Sequence, residues 1–343
     1  MVAVVATLMM GVLLVGTDAA SAAPTRATDQ TGGYVYEDNR APGGPTFNFR
    51  NAPTVLTFTD GVDDGYANVA LPFSFNYYGV NRTSMNVSPN GAIRFPSSVG
   101  GLSFVNANLG VANSDMIAPM WDDWVVFGQV STGVSGSAPS RVFTVHWDDV
   151  RPFGGSNADS VDFQMQLFEN GRIEFHYLDV ESSASHDRGV SATVGIDHGA
   201  TSNLQYSFNA SSLVDNRAIR FRPVRCQGHV PTITGTFGPD AIAGTAGVDV
   251  IVALSGNDTI STGAGNDIVC AGDGNDNVNL GADNDRTEGG NGNDTLSGRG
   301  GNDRLDGGAH ADTLRGGPGL GDVCIGRTGF DNAAGCESVS GVP

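Results

Sequence analysis

The sequence predicts an all-β protein in two unlike parts, an antiparallel β-sandwich followed by a coiled array of very short strands. Three observations carry this. Between residues 36 and 223, short apolar runs alternate with polar residues and close on turn signals. No segment of that half holds a helical period over ten residues. From 226 onward aromatic residues become scarce, glycine dominates, and an aspartate returns every nine positions.

The chain begins with MVAVVATLMMGVLLVG and reaches Ala20-Ser21-Ala22, a short apolar run before a small-residue cleavage pattern. This predicts a signal peptide over 1–22, a secreted protein, and a flexible leader over 23–35. The run is too short for a membrane span, and no other stretch is long and apolar enough, so an integral membrane protein is not expected. Net charge is −19, and all 18 basic residues are Arg. Such a chain offers no basic groove to nucleic acid and favours cations as partners.

The clearest piece of the first half is VDFQMQLFENGRIEFHYLDV. Val161, Phe163, Met165 and Leu167 alternate with polar residues, Asn170-Gly171 makes the turn, and Ile173, Phe175 and Tyr177 return. Similar runs at VLTFT, YANVALPFSF, SMNVSPNGAIRF, RVFTVHWDD, SATVGID and AIRFRP complete a sandwich over 36–223. Each sheet is expected to be buried on one face, which leaves His176 solvated on the other.

Residues 224–234 read as a linker. Beyond it come Asp240, Asp249, Asp258, Asp267, Asp276, Asp285, Asp294, Asp303 and Asp312, nine residues apart without insertion; Asp322 follows after ten. Two residues after each stands Ile242, Ile251, Ile260, Val269, Val278, Thr287, Leu296, Leu305 or Leu314. Glycine stands two residues before several of them, as Gly256, Gly265, Gly274, Gly292 and Gly301. Aspartate supplies a hard oxygen ligand suited to Ca²⁺, and glycine allows backbone to approach an ion. Without metal the same composition describes an unfolded tail.

Two resemblances follow from these motifs. DGVDDGYANVALPFSFNYYG, VSPNGAIRF, IAPMWDDW, FQMQLFENGRIEFHY, ATVGID, LQYSFN and AIRF resemble a β-sandwich module of secreted bacterial proteins, distantly similar to the extracellular domain of nidogen. That resemblance implies fold and secretion, not activity. GGNGNDTLS resembles the hemolysin-type (RTX) calcium-binding nonapeptide. It implies a calcium-binding right-handed parallel β-roll over 235–325, in which two nonapeptides make one coil and residues 18 apart stack. A C-terminal cap over 326–343 would cover its end.

Stacking at 18 sorts the aspartates onto two edges, with four gaps along Asp240, Asp258, Asp276, Asp294 and Asp312 and three along Asp249, Asp267, Asp285 and Asp303. At least three and up to seven Ca²⁺ ions are therefore expected, most firmly at Asp258/Asp276, Asp276/Asp294 and Asp267/Asp285. Pro239 and Val248 weaken the first two loops, while Asp283, His310 and Thr287 depart from the pattern later. Aspartates at a strand spacing of about 4.8 Å repel by about 0.9 kcal/mol in water and about 3.5 kcal/mol at an effective dielectric of 20. One small aliphatic residue per repeat cannot offset that together with chain ordering, so the array should fold only on binding calcium.

Four cysteines allow three pairings. Cys270 follows the inward Val269 and so faces outward toward Cys226, while Cys324 takes the inward place after Asp322, beneath GRTGFDNAAGCES. Cys226–Cys270 and Cys324–Cys336 are expected. Adjacent Asp122-Asp123 and Asp148-Asp149 beside tryptophans suggest a hydrolase, yet neighbouring strand residues face opposite ways. Asp60, Asp63 and Asp64 read as an acidic turn or one further cation site. No HExxH, GxSxG or Walker motif occurs. The reading is a secreted, non-enzymatic calcium-binding protein whose sandwich meets a protein, glycan or cell-surface ligand. The alternative is an extracellular hydrolase, or an accessory part of one, with the roll as a folding module.

Overall fold

Alternation builds the first half as the sequence predicts. Val161, Phe163, Met165 and Leu167 are buried with their hairpin partners Ile173, Phe175 and Tyr177. The Phe168 N–H donates to Arg172 O and closes the Asn170-Gly171 turn. The computed structural model describes residues 26–28, 33–96, 107, 109, 115–155, 159–180, 189–199 and 203–342. The expected signal segment 1–22 lies outside the described residues.

The sandwich strands are β1 (Arg26–Thr28), β2 (Tyr34–Asp38), β3 (Thr54–Val55), β4 (Ala67–Tyr77), β5 (Val80–Ser88), β6 (Ala92–Arg94), β7 (Met116–Trp121), β8 (Trp124–Ser135), β9 (Val142–Pro152), β10 (Val161–Phe168), β11 (Ile173–Asp179), β12 (Thr193–Asp197), β13 (Asn203–Phe208) and β14 (Arg217–Pro223). They form two antiparallel sheets, β1-β2-β14-β11-β10-β9-β8-β3 and β13-β12-β7-β6-β5-β4. Between them lies one aromatic-rich core, including Phe75, Tyr77, Phe95, Trp124, Trp147, Phe163 and Phe175.

Two expectations for this half need correction. The sheet begins inside the expected leader: Tyr34 is 1 % exposed, and its hydroxyl donates to Gly171 O at 3.0 Å, so Tyr34 and Tyr36 continue the alternation. The outer face of the larger sheet is also covered. Gln164, Gln166 and His176 are fully buried beneath residues 47–50. Asn48 N–H donates to His176 Nδ1, which leaves Nε2 to donate to Glu174. Gln164 exchanges hydrogen bonds with the Arg50 backbone and Gln166 donates to Asn48 O, while Phe47 and Phe49 lie edge-on to His176 and His146. A buried polar face is tolerable because these groups find partners.

The second half is a parallel coil. Its strands are β15 (Ile233–Thr234), β16 (Ala241–Ala243), β17 (Val250–Val252), β18 (Thr259–Ser261), β19 (Ile268–Asp273), β20 (Asn277–Asn279), β21 (Arg286–Asn291), β22 (Thr295–Ser297), β23 (Arg304–Ala309), β24 (Thr313–Arg315), β25 (Val323–Ile325), β26 (Asn332–Ala334) and β27 (Ser338–Ser340). Odd-numbered strands make one sheet and even-numbered strands the other. Ile260 pairs with Val278 and Val269 with Thr287, the 18-residue register. The row Ile251, Ile260, Val269, Val278, Leu296, Leu305 and Leu314 fills the narrow interior. A second inward position, held by Ala253, Ala271 and Leu280, was not expected from the repeat alone.

The array is longer than expected at both ends. β15 lies within the expected linker, where Cys226 is fully buried beside Val35, Val224, Val250 and Val252. The expected cap does not fold across the end; β26 and β27 extend the two sheets as further parallel strands. Both expected disulfides, Cys226–Cys270 and Cys324–Cys336, are present. Among the described residues, no helix is long and apolar enough to cross a membrane.

Candidate metal centre

Each repeat aspartate sits one residue before a strand, and its backbone N–H donates to the Oδ1 of the aspartate one coil on. Along one edge this links Asp240 to Asp258, Asp258 to Asp276, Asp276 to Asp294 and Asp294 to Asp312, each at 2.8 Å. Along the other it links Asp249 to Asp267 and Asp267 to Asp285 at 2.8 Å, then Asp285 to Asp303 at 2.9 Å. Two continuous carboxylate ladders result, as the spacing predicts.

The second oxygen of each carboxylate is the informative one. In Asp258, Asp267, Asp276, Asp285, Asp294, Asp303 and Asp312, Oδ2 is buried without a hydrogen-bond partner among the protein groups. An unsatisfied buried acceptor costs about 1–3 kcal/mol, and more when charged. Burial first, then neighbouring aspartates, push Asp276 up to about 6 and Asp294 up to about 7, against the ladder hydrogen bonds that pull them down. The same causes raise Asp285 to about 7 and Asp312 to about 6. These rows of hard oxygen atoms form an all-oxygen donor set, which suits Ca²⁺.

The glycines divide into two jobs. Gly256, Gly265, Gly274, Gly292 and Gly301, the expected ones, hold φ of +128°, +122°, +131°, +133° and +130°. A Cβ on Gly274 would collide with Gly256 O one coil below, so these glycines permit stacking. Gly289, Gly298 and Gly307 were not singled out from the sequence. A Cβ on any of them would collide with Oδ2 of Asp294, Asp303 or Asp312. They keep the carboxylate cradle open, and their signal is the first glycine of the nonapeptide, five residues before the aspartate. The asparagine before the aspartate forms a third ladder: Asn257 Oδ1 accepts Asn275 N–H, and Asn275 Oδ1 accepts Asn293 N–H.

The first two loops differ. Asp240 Oδ2 accepts Thr236 N–H at 2.6 Å, and Asp249 Oδ2 accepts Thr245 N–H at 2.7 Å, each joined by the threonine hydroxyl. Protein groups there satisfy what is unsatisfied from Asp258 onward. At the other end the ladders run further than the sequence reading carried them. Asp303 N–H donates to Asp322 and Asp312 N–H to Asp331, and both acceptors again bury an unpartnered Oδ2. The one-residue insertion before Asp322 hid this, although Asp331 stands nine residues beyond it.

In the sandwich, one carboxylate of each acidic pair is held by neighbouring groups. Asp149 forms an ion pair with Arg151 and accepts a hydrogen bond from Ser160, and the Arg151 guanidinium lowers its carboxyl below the usual range. Asp122, buried between β7 and β8, accepts Asp123 N–H and the Ser191 hydroxyl. Carboxylates of Asp63, Asp64 and Asp123 lie within 4.8 Å of one another, and Asp60 is not among them.

A sandwich joined to a parallel coil with two ladders of half-satisfied buried carboxylates defines a calcium-binding β-roll protein. Residues 36–229, more than half of the chain, match the family described as NIDO related, and the chain belongs to that family. Residues 234–269, 254–287 and 288–320 match the RTX calcium-binding nonapeptide repeat. No curated protein and no solved structure matches the chain.

Proposed function

We propose that this is a secreted, non-catalytic protein whose roll folds on binding several Ca²⁺ ions and supports the sandwich as an interaction module. The observation that carries the reading is the row of buried Oδ2 atoms from Asp258 to Asp312 without partners. Calcium between loops turns repulsion between stacked carboxylates into attraction. Extracellular calcium modules bind at about 10⁻⁴–10⁻³ M, roughly 4–5.5 kcal/mol per site, so a few coupled sites stabilise the coil. The threonine N–H groups that already satisfy Asp240 and Asp249 favour sites from the third loop onward. Two disulfides fit an oxidising compartment outside the cytoplasm.

The ion pairs and hydrogen bonds holding Asp149 and Asp122 support an interaction role for the sandwich, with a protein, glycan or cell surface as its ligand. Flow dialysis of the full chain tests the calcium reading: at least three ions bind, and fewer than three would refute it. Screening against esterase, glycosidase and peptidase substrates tests the second part. Turnover that disappears when Asp122, Asp123, Asp148 or Asp149 is replaced would make the protein a hydrolase.

A further inference from the structure

The matched repeats stop at residue 320, but the ladder does not. Asp322 N–H donates to Glu337 Oε2 at 2.7 Å, the bond that an aspartate Oδ1 accepts at every earlier step. Glu337 and Ser338 N–H groups both donate to Asp322 O, and β27 pairs with β25 from Ser338 onward. Glu337 therefore stands at the aspartate position of a final coil that is three residues shorter, 15 instead of 18. The longer glutamate side chain offsets the shorter turn. Beneath it, Asp322 is fully buried, and its Oδ2 has no partner.

We propose that the Asp322/Glu337 gap is a calcium site of its own and that the Cys324–Cys336 disulfide assembles it; this rests on the calcium reading above. Cys336 occupies the place that asparagine holds before the aspartate in earlier repeats. There, asparagine Oδ1 accepts an N–H of the next coil, as Asn302 does from Leu320. Cys336 is instead bonded to Cys324, two residues after Asp322, which ties this coil to the one before it. The disulfide thus fixes the neighbouring Glu337 in the coil where its carboxylate accepts Asp322 N–H, next to a residue whose own Oδ2 is unpartnered.

The test counts bound calcium in the full chain, by flow dialysis, for wild type, Glu337→Gln and the Cys324→Ser/Cys336→Ser pair. Glu337→Gln keeps an oxygen for Asp322 N–H and removes only the charge. It is expected to bind one ion fewer than wild type with the far-ultraviolet β signal retained. The serine pair should lose the same ion, or bind it at least tenfold more weakly, and lose calcium-dependent exchange protection of residues 327–342. A Glu337→Gln protein with the wild-type ion count and titration overturns the site. Loss of the ion in Glu337→Gln but not in the serine pair overturns the clamp. A wild type that binds no calcium refutes the functional reading itself.

Discussion

Asp294 Oδ1 accepts the N–H of Asp276, while Asp294 Oδ2, equally buried, accepts nothing. One carboxylate thus contributes a structural bond and an unmet demand. Asp294→Asn separates the two. With calcium absent, the neutral amide relieves buried charge and should stabilise the roll. With calcium present, it should remove a ligand and raise the calcium midpoint about tenfold, roughly 1.4 kcal/mol. The β signal in chelator and the calcium midpoint read the two signs; a smaller β signal in chelator, or an unchanged or lowered calcium midpoint, would contradict the assignment. Asp240→Asn should shift the midpoint far less, because Thr236 already satisfies Asp240.

Thr287 is the misfit of the inward row. It is 1 % exposed, lies between Val269 and Leu305, and its hydroxyl has no partner. Thr287→Val keeps the shape and removes an unsatisfied polar atom, so stability should rise by about 1 kcal/mol. Urea unfolding in saturating calcium measures it, and a loss would place that side chain elsewhere.

Gly289 and Gly238 make a controlled pair. Neither needs a left-handed φ, but a Cβ on Gly289 meets Asp294 Oδ2 and, equally closely, Gly307 O one coil on, whereas one on Gly238 meets only the Thr236 hydroxyl at 3.9 Å. Gly289→Ala should lower stability by about 2 kcal/mol or more and weaken calcium binding. Gly238→Ala should leave both nearly unchanged. Equal effects would mean the cradle is not what these glycines protect.

Acid should partly replace the metal. Asp276 and Asp312, raised to about 6, and Asp285 and Asp294, raised to about 7, bind protons more tightly in the folded roll than in the unfolded chain. Their contribution favours the calcium-free fold fully below about pH 4 and is lost as pH rises through 6 to 7. Circular dichroism in chelator should show β signal growing as pH falls from 8 to 5. Growth in the opposite direction would contradict the burial of these groups. Protons should also compete with calcium, lowering its affinity over the same window.

The nine-residue register was legible because a coil is one-dimensional: Ile260 meets Val278 with no information beyond spacing. The alternation of Val161–Leu167 was legible for a similar local reason. What escaped depends on distant chain or on a broken register. His176 is buried by a segment whose contact, Asn48, lies 128 residues away. Glu337 differs from the aspartates in residue type and in coil length, so the repeat does not announce it.

The most direct test of folding on calcium is circular dichroism and hydrogen exchange of the full chain in chelator and in calcium at pH 7.5. The account predicts that residues 254–340 exchange freely in chelator while the sandwich stays protected, and that calcium restores protection and β signal together in one cooperative step. Full protection of 254–340 in chelator would contradict it.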